Sequence, residues 1–478
     1  MPTIILNEKL AYPGAGGYGR YAGVSSPPRS LYVVTSLAEN GVGTLKDAIS
    51  QPDRDIVLNN LSGYIPFLTG TFPTANNLRI HGQTGNVAIT ANMSAPPNSS
   101  LLSFQGGDVV VRYLRWRRQG EEPGQAAGGG AVLGGDRYIF DHCNWTTMSD
   151  DFCGAANQGG SAVTFSNCLF YISLEKLASA RGTGKGLLIY NDISSASIIE
   201  SVFAHVGSRQ PSGKAGTIDC NLEFVNNLIH NWGSFATHLG DPNGTVGVNG
   251  TLYTNLIGND YVTGNNTYPS RYAVNPDDFS STYLHDNIGR YRPDNSYPES
   301  AIASELGTVS TANTTGTGLV GTPFSMTPAS LNAMDVSEVK PYVLPRAGAN
   351  KYRDSHDIDI IAQVQAGSGP ESGYNHDKES AWSYPLPALA APDPINDTTG
   401  SGIDDAFEAQ HGLTGDGTGT TVNWDFGTYQ VVNNAGYTDR EMYWSYLAND
   451  FADLPDAGGI TYFPIDDQER HRRRGLTL

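Results

Sequence analysis

Arg209 and Lys214 stand five residues apart, with Pro211 between them and glycines around them, directly after the apolar run Ile198–Phe203. Two cations on a stiffened turn at the end of a strand make a plausible anion-handling site. Further charge lies upstream at matching spacing. Counted ten and eleven residues from the start of successive apolar runs, the chain places Glu121/Glu122, Asp150/Asp151, Glu175/Lys176 and Ser208/Arg209. If the runs stack, these residues form one column that passes from acidic to basic. Only 16 % of the chain is charged, so random surface charge would rarely produce such a column.

The column suits a polymer of uronic acids. Carboxylates can hold Ca²⁺, which prefers oxygen ligands and can bridge to a substrate carboxylate. Metal and lysine together draw charge from that carboxylate and acidify the neighbouring C5–H. A base then removes the proton, and the C4–oxygen bond breaks by β-elimination. Hydrolysis would instead use a pair of carboxyl groups, for which Asp150 and Asp151 are candidates. The nearby cations favour elimination.

The elements that position this column repeat. The pattern apolar–x–polar–x–x–apolar starts at Val111, Phe140, Phe165, Ile198, Phe224, Leu252 and Tyr283, at intervals of 29, 25, 33, 26, 28 and 31 residues. A strand-rich repeat of this length, without intervening helices, reads as an all-β solenoid, a parallel β-helix whose rungs stack about 4.8 Å apart. Asn167, Asn226, Asn227 and Asn255 are expected to form an inward ladder. His142, His205 and Trp232 read as core or turn residues. The four cysteines, Cys143, Cys153, Cys168 and Cys220, have no metal spacing and read as buried thiols.

Residues 43–49 read as a short helix capping one end of the core. The β-helix is expected over residues 1–370, with an N-terminal cap over about 1–55. Residues 371–478 are expected to hold a linker and a C-terminal extension. A helical period is expected only after about residue 402. There Ser401–Asp404 and Thr438–Glu441 each resemble a capping box, ahead of 406–410 and 442–447, and Gly412 stops the first helix. The last nine residues carry four arginines and read as a basic tail or a docking peptide. A formal charge of −19 argues against a nucleic-acid partner. No stretch approaches membrane-span length, and MPTIILNEKL lacks a signal-type apolar region. The expected site of action is outside the cell, as a secreted or virion-associated protein.

Several segments carry a family resemblance. AYPGAGGYGRYAG, VVTSLAENGVGTLKDAI, LRIHGQTG, VRYLRWR, YIFDHCNWTTMSDD and SVFAHVGSRQP together resemble the pectate lyases, across about residues 11–290. The segments IDDAFEAQHGL and GYTDREMYWSYLAN are similar to a tail on some bacterial members, so a bacterial or phage-borne member is expected. The resemblance implies a right-handed parallel β-helix and calcium-dependent elimination on an acidic polysaccharide such as pectate. It implies that Arg209 is the catalytic arginine, opening an R-x-P-x-x-R motif whose second arginine is Lys214 here. Lys176 matches a substrate-binding lysine, with Glu175 beside it. Asp150, with Asp151, matches a calcium-ligand carboxylate, and Asp141-His142 matches a structural pair. Two further ligand positions fall on glycine, one within Gly128–Gly130 and one at Gly154. Glu121, Glu122 or Glu175 are the residues able to compensate. A weak or substrate-assisted Ca²⁺ site is therefore expected. The alternative is a glycan-binding β-helix of a phage tail that has lost turnover, with a virion partner at the C-terminal region.

Overall fold

In a computed structural model, the described residues are all but 25–26, 69–70, 92–99, 119–128, 149, 157–161, 174–183, 191, 234–235, 241–249, 266, 268–271, 277–278, 304–317, 326–331, 370–385, 453, 455–462 and 465–478. The basic tail thus lies outside the described residues. Short strands recur three to a rung and pair in parallel with the rungs before and after. Among the described residues they form three long sheets of eleven, eight and eight strands. The chain is a parallel β-helix, as the repeat implies.

The longest sheet sets the register. Val111 pairs with Phe140, Phe140 with Phe165, Phe165 with Ile198 and Ile198 with Phe224. The repeat read from sequence therefore holds over five rungs. It then slips. Phe224 pairs with Leu256, not Leu252, and Leu256 pairs with Leu284, not Tyr283. LYTNLI matches the apolar pattern at its first residue, but the strand Leu252–Ile257 lies against Cys220–Val225, so its fifth residue is the equivalent one.

Two residues beyond each aligned position, the backbone turns through the left-handed region. Tyr113, His142, Asn167, Glu200, Asn226, Gly258 and Asp286 all have φ between 50° and 63°. This conformation costs a non-glycine residue about 1–2 kcal/mol, so its recurrence shows that stacking dictates the turn. His142 stacks on Tyr113, with ring centroids 4.7 Å apart.

One residue further on, the side chain points inward. Here Cys143, Cys168, Ser201, Asn227, Asn259 and Asn287 follow one another. The amide nitrogen of Cys168 donates to Ser201 Oγ (3.0 Å), that of Ser201 to Asn227 Oδ1 (3.0 Å), that of Asn227 to Asn259 Oδ1 (2.9 Å) and that of Asn259 to Asn287 Oδ1 (3.1 Å). The ladder thus exists, but of the four expected asparagines only Asn227 belongs to it. Asn167 and Asn226 occupy the left-handed turn, and Asn255 instead bonds the backbone of Phe324. The thiols of Cys143 and Cys168 bond the carbonyls of Val111 and Phe140, and all four cysteines are free and buried. Beside the ladder, Trp116, Trp145, Phe170 and Phe203 stack at 4.6, 4.9 and 4.7 Å. Trp232 and His205 are buried, as expected.

Helix α1 (Leu45–Ile49) is capped by Thr44 and sits where the sequence places it. Two helices before residue 402 were not expected, α2 (Val336–Arg346) and α3 (Ser355–Ala366). Pro341 and Pro345 inside α2 obscured it. Both pack on Leu169, Tyr171, Val202, Ala204 and Leu228 of the second sheet. Asp354 and Asp357 at the start of α3 ion-pair with buried Arg115 and Arg117. Helix α4 (Asp405–His411) is capped by Asp404, not Ser401, because the Asp404 carboxylate accepts from the N–H groups of Ala406 and Phe407. Gly412 ends it at φ 63°, and helix α5 (Asp439–Leu447) has the capping box of Thr438 and Glu441. This C-terminal part folds back on the first rungs. Gln430–Asn433 pairs with Thr3–Leu6, Glu441 meets Arg79, and Asp450 takes a bidentate bond from Arg112 (2.9 and 2.6 Å).

Asn259→Ala would leave the carbonyl of Phe224 and the donors of Asn227 without their partner. The expected loss is about 1–3 kcal/mol for each group stranded, read from urea unfolding; an unchanged midpoint would contradict the ladder.

Candidate functional site

The third sheet runs through Ala131–Leu133, Cys153–Ala156, Leu187–Tyr190, Ser212–Gly213, Thr237–Leu239 and Val274–Pro276. Cys153 pairs with Leu187 and Leu188 with Ser212. Asp150 and Asp151 enter this sheet just before Cys153, Lys185 just before Leu187, and Arg209 just before Ser212. Three successive rungs therefore deliver two carboxylates, a lysine and an arginine to one edge.

They meet there. Arg209 Nη1 donates to both oxygens of Asp151, at 2.7 and 2.9 Å. Lys185 Nζ donates to Asp150 Oδ1 at 2.7 Å. The Arg209 and Asp151 side chains are 28 % and 16 % exposed, which leaves the pair reachable from solvent but shielded enough for a strong interaction. Burial pushes the Asp151 carboxyl up to about 6; the charge of Asp150 adds to this, and Arg209 and Lys185 oppose it.

The backbone around Arg209 is specialised. Lys185 bridges Ser208, whereas Leu188 pairs with Ser212, so the Arg209 strand carries one extra residue. This is a bulge, with Arg209 itself at φ 64°. The amide nitrogen of Leu187 still finds the Arg209 carbonyl at 2.8 Å. Gly186 allows this approach, since a Cβ there would stand 2.1 Å from that carbonyl oxygen. Beyond the bulge, Gly213 faces core leucines 222, 239 and 252. By strand alternation Ser212 and Lys214 face away from the leucine core, Ser212 remaining buried. Lys214 is half-buried, and its N–H donates to the Ile189 carbonyl.

The residues expected from sequence divide into two groups. Arg209, Asp150 and Asp151 are brought together, and Lys214 follows on the next outward position. Glu121, Glu122, Glu175 and Lys176 lie outside the described residues. Lys185 was not singled out from the sequence. Its signal was its distance from the following strand, two residues before Leu187, as Asp151 is two before Cys153.

Asp141 and His142 are structural. Asp141 takes bonds from Arg112, His142 and Ser166 inside a buried network that also holds Asp450. The glycines at the expected ligand positions differ physically. In the first run Gly128 lies outside the described residues, a Cβ at Gly129 would stand 3.0 Å from the Asp151 carbonyl oxygen and one at Gly130 2.5 Å from the Phe152 carbonyl oxygen; a Cβ at Gly154 would meet nothing within 4 Å. Among the described residues no three His, Cys, Asp or Glu side chains gather to hold a metal ion. Asp150 and Asp151 are each already paired with a cation, so they do not by themselves fit a calcium ion. No helix among the described residues is long and apolar enough to cross a membrane.

The chain is 30 % identical over 443 residues to a protein named probable pectate lyase C from Neosartorya fischeri, covering 91 % of this chain and 93 % of the relative. A protein of the same name from Aspergillus fumigatus is 30 % identical over 442 residues, with the same coverage. Both relatives are fungal, which gives the expected bacterial or phage origin no support. No family model matches the chain. A pectate lyase bound to a hexasaccharide superposes with a TM-score of 0.47 and 12 % identity, over 72 % of this chain and 99 % of that one.

Asp151 is expected to titrate near pH 6 when its carboxyl carbon is followed by NMR. Because the Arg209 charge favours the ionised form, Arg209→Ala should move that midpoint upward. A midpoint near 4 in both proteins would contradict the buried pair.

Proposed function

The chain belongs to the pectate lyase family, and on that premise we propose that it is a polysaccharide lyase cleaving pectate or a similar polyuronate by β-elimination. The observation that carries the reading is the pairing of Arg209 with Asp151 at one edge of the solenoid, with Lys185 and Asp150 on the adjoining rungs. An acidic protein can hold an acidic polymer only where cations are concentrated locally. Arg209, Lys185 and the outward Lys214 supply such a place.

In this reading a uronate carboxylate is held by Lys185 and Lys214, with Lys176 and Glu175 as further substrate contacts. Arg209, released from Asp151, takes the C5 proton. The electron pair forms a C4–C5 double bond as the C4–oxygen bond breaks, and the leaving oxygen acquires a proton from solvent. Arginine is normally charged at neutral pH. It can serve as a base only where water is excluded and neighbouring cations disfavour its charge, which is the role assigned to the lysines.

The family is generally calcium-dependent. We assign no step to calcium, because the described ligands are incomplete. Calcium bound by Asp150 and Asp151, with Glu121 or Glu122 and substrate carboxylates completing its shell, would be weak and substrate-assisted. The fungal relatives favour a secreted enzyme acting outside the cell over a virion component. A hydrolase using Asp150 and Asp151 is disfavoured, since each carboxylate is committed to a cation.

The test is a panel of polyuronates with product followed by ultraviolet absorbance. Polygalacturonate is expected to yield an unsaturated product, slowed by chelator and slowed about 100-fold or more in Arg209→Ala. Absence of such a product on every polyuronate would overturn the proposal.

A further inference from the structure

The outward face of the third sheet carries an apolar patch that neither the core nor the elimination step uses. Parallel pairing aligns Val132 with Gly154 and Gly154 with Leu188. Their neighbours Ala131, Leu133, Leu187 and Ile189 belong to the core of the solenoid. Val132 and Leu188 belong to none of the hydrophobic clusters among the described residues. Both are half-buried, as is Tyr190, which continues the same face two residues after Leu188. A single leucine at a surface needs no explanation, but here two aliphatic side chains flank one rung beside the charged edge.

Gly154 is the residue between them. At Gly130, Gly186 and Gly213 a neighbour would lie within 3.0 Å of an added Cβ, so those positions are held to glycine. At Gly154 a Cβ would meet nothing within 4 Å, and its φ lies outside the left-handed region. Neither crowding nor backbone conformation calls for glycine there. The missing side chain leaves a notch, with Val132 on the rung before and Leu188 on the rung after.

Charge decides what the notch can hold. Val132, Gly154, Leu188 and Tyr190 bring no charge to this face. The adjoining edge is neutral in sum, since Asp150 is paired with Lys185 and Asp151 with Arg209. A uronate carboxylate laid in the notch would lose water without gaining a counter-charge, and two carboxylates stand nearby. An esterified carboxyl escapes that cost and gains by burying its alkyl group against Val132 and Leu188. Rungs repeat at about 4.8 Å, comparable to the length of one sugar, so a polymer reacting at Arg209 lays a neighbouring sugar over the Gly154 rung.

We infer that Val132, Gly154 and Leu188 form a subsite for a uronate whose carboxyl is esterified, next to the sugar whose free carboxylate is held by Lys185 and Lys214. The inference rests on the elimination proposed above and narrows its substrate to a partly esterified polyuronate, with a free acid at the reacting sugar and an ester beside it.

The test is digestion, by the full chain, of a polygalacturonate whose carboxyls are randomly and partly methyl-esterified. Tandem mass spectrometry then locates the esters in the products. A free acid is expected on the unsaturated terminal sugar. An ester is expected at one fixed position near the cleaved bond, enriched about fourfold over the starting polymer, the equivalent of burying one methyl group. Leu188→Lys should reverse that enrichment in favour of the free acid. Gly154→Val, whose Cβ has open space, should remove it, and serves if the Leu188 variant does not fold. Esters placed at random around the cleaved bond, or an enrichment unchanged in either variant, would overturn this inference and leave the elimination standing. No unsaturated product from any polyuronate would overturn both.

Discussion

Each rung of this protein must lie on the one before it in a single register, and the left-handed residue after the longest sheet is what fixes that register. At Tyr113, His142, Asn167, Glu200 and Asn226 the chain accepts an unfavourable φ, and each N–H there donates to a carbonyl of the next rung. Once the turn is set, the following residue must point inward. The column of thiols, serine and asparagines then satisfies backbone groups that the core would otherwise strand. The aromatic stack from Trp116 to Phe203 fills the space beside it.

The functional edge inherits this order. Asp151, Lys185 and Arg209 come from separate rungs, but parallel pairing delivers each to the same side of the third sheet within hydrogen-bonding reach. Where the column needs a side chain re-aimed, a bulge supplies it at Arg209, and Gly186 makes room for the bulged carbonyl. Opposite charges on neighbouring rungs hold the column together without substrate. In the proposed function, a polyanion competes with these internal partners.

Much of the β-helix was legible in the sequence, because identical offsets repeat wherever the turns have equal length. Legibility ended where loops differ. LYTNLI satisfies the apolar pattern four residues early, so the register slipped at Leu252, and Asn259 and Asn287 were missed as ladder members. Lys185 was hidden because it stands 20 residues beyond Phe165, past the offsets of ten and eleven; a count back from the following strand recovers it. Arg209, Asp150 and Asp151 were found because their loops are short. Helices α2 and α3 escaped because their burial is decided by contacts with the second sheet and with Arg115 and Arg117, which no local period records.

The central claim is that the Arg209 edge breaks a polyuronate by elimination, and the most direct measurement is mass spectrometry of polygalacturonate products formed in H₂¹⁸O. Elimination predicts an unsaturated terminal sugar, with no ¹⁸O introduced by bond cleavage and the product absent in Arg209→Ala. Saturated fragments carrying one ¹⁸O per cleavage would contradict it.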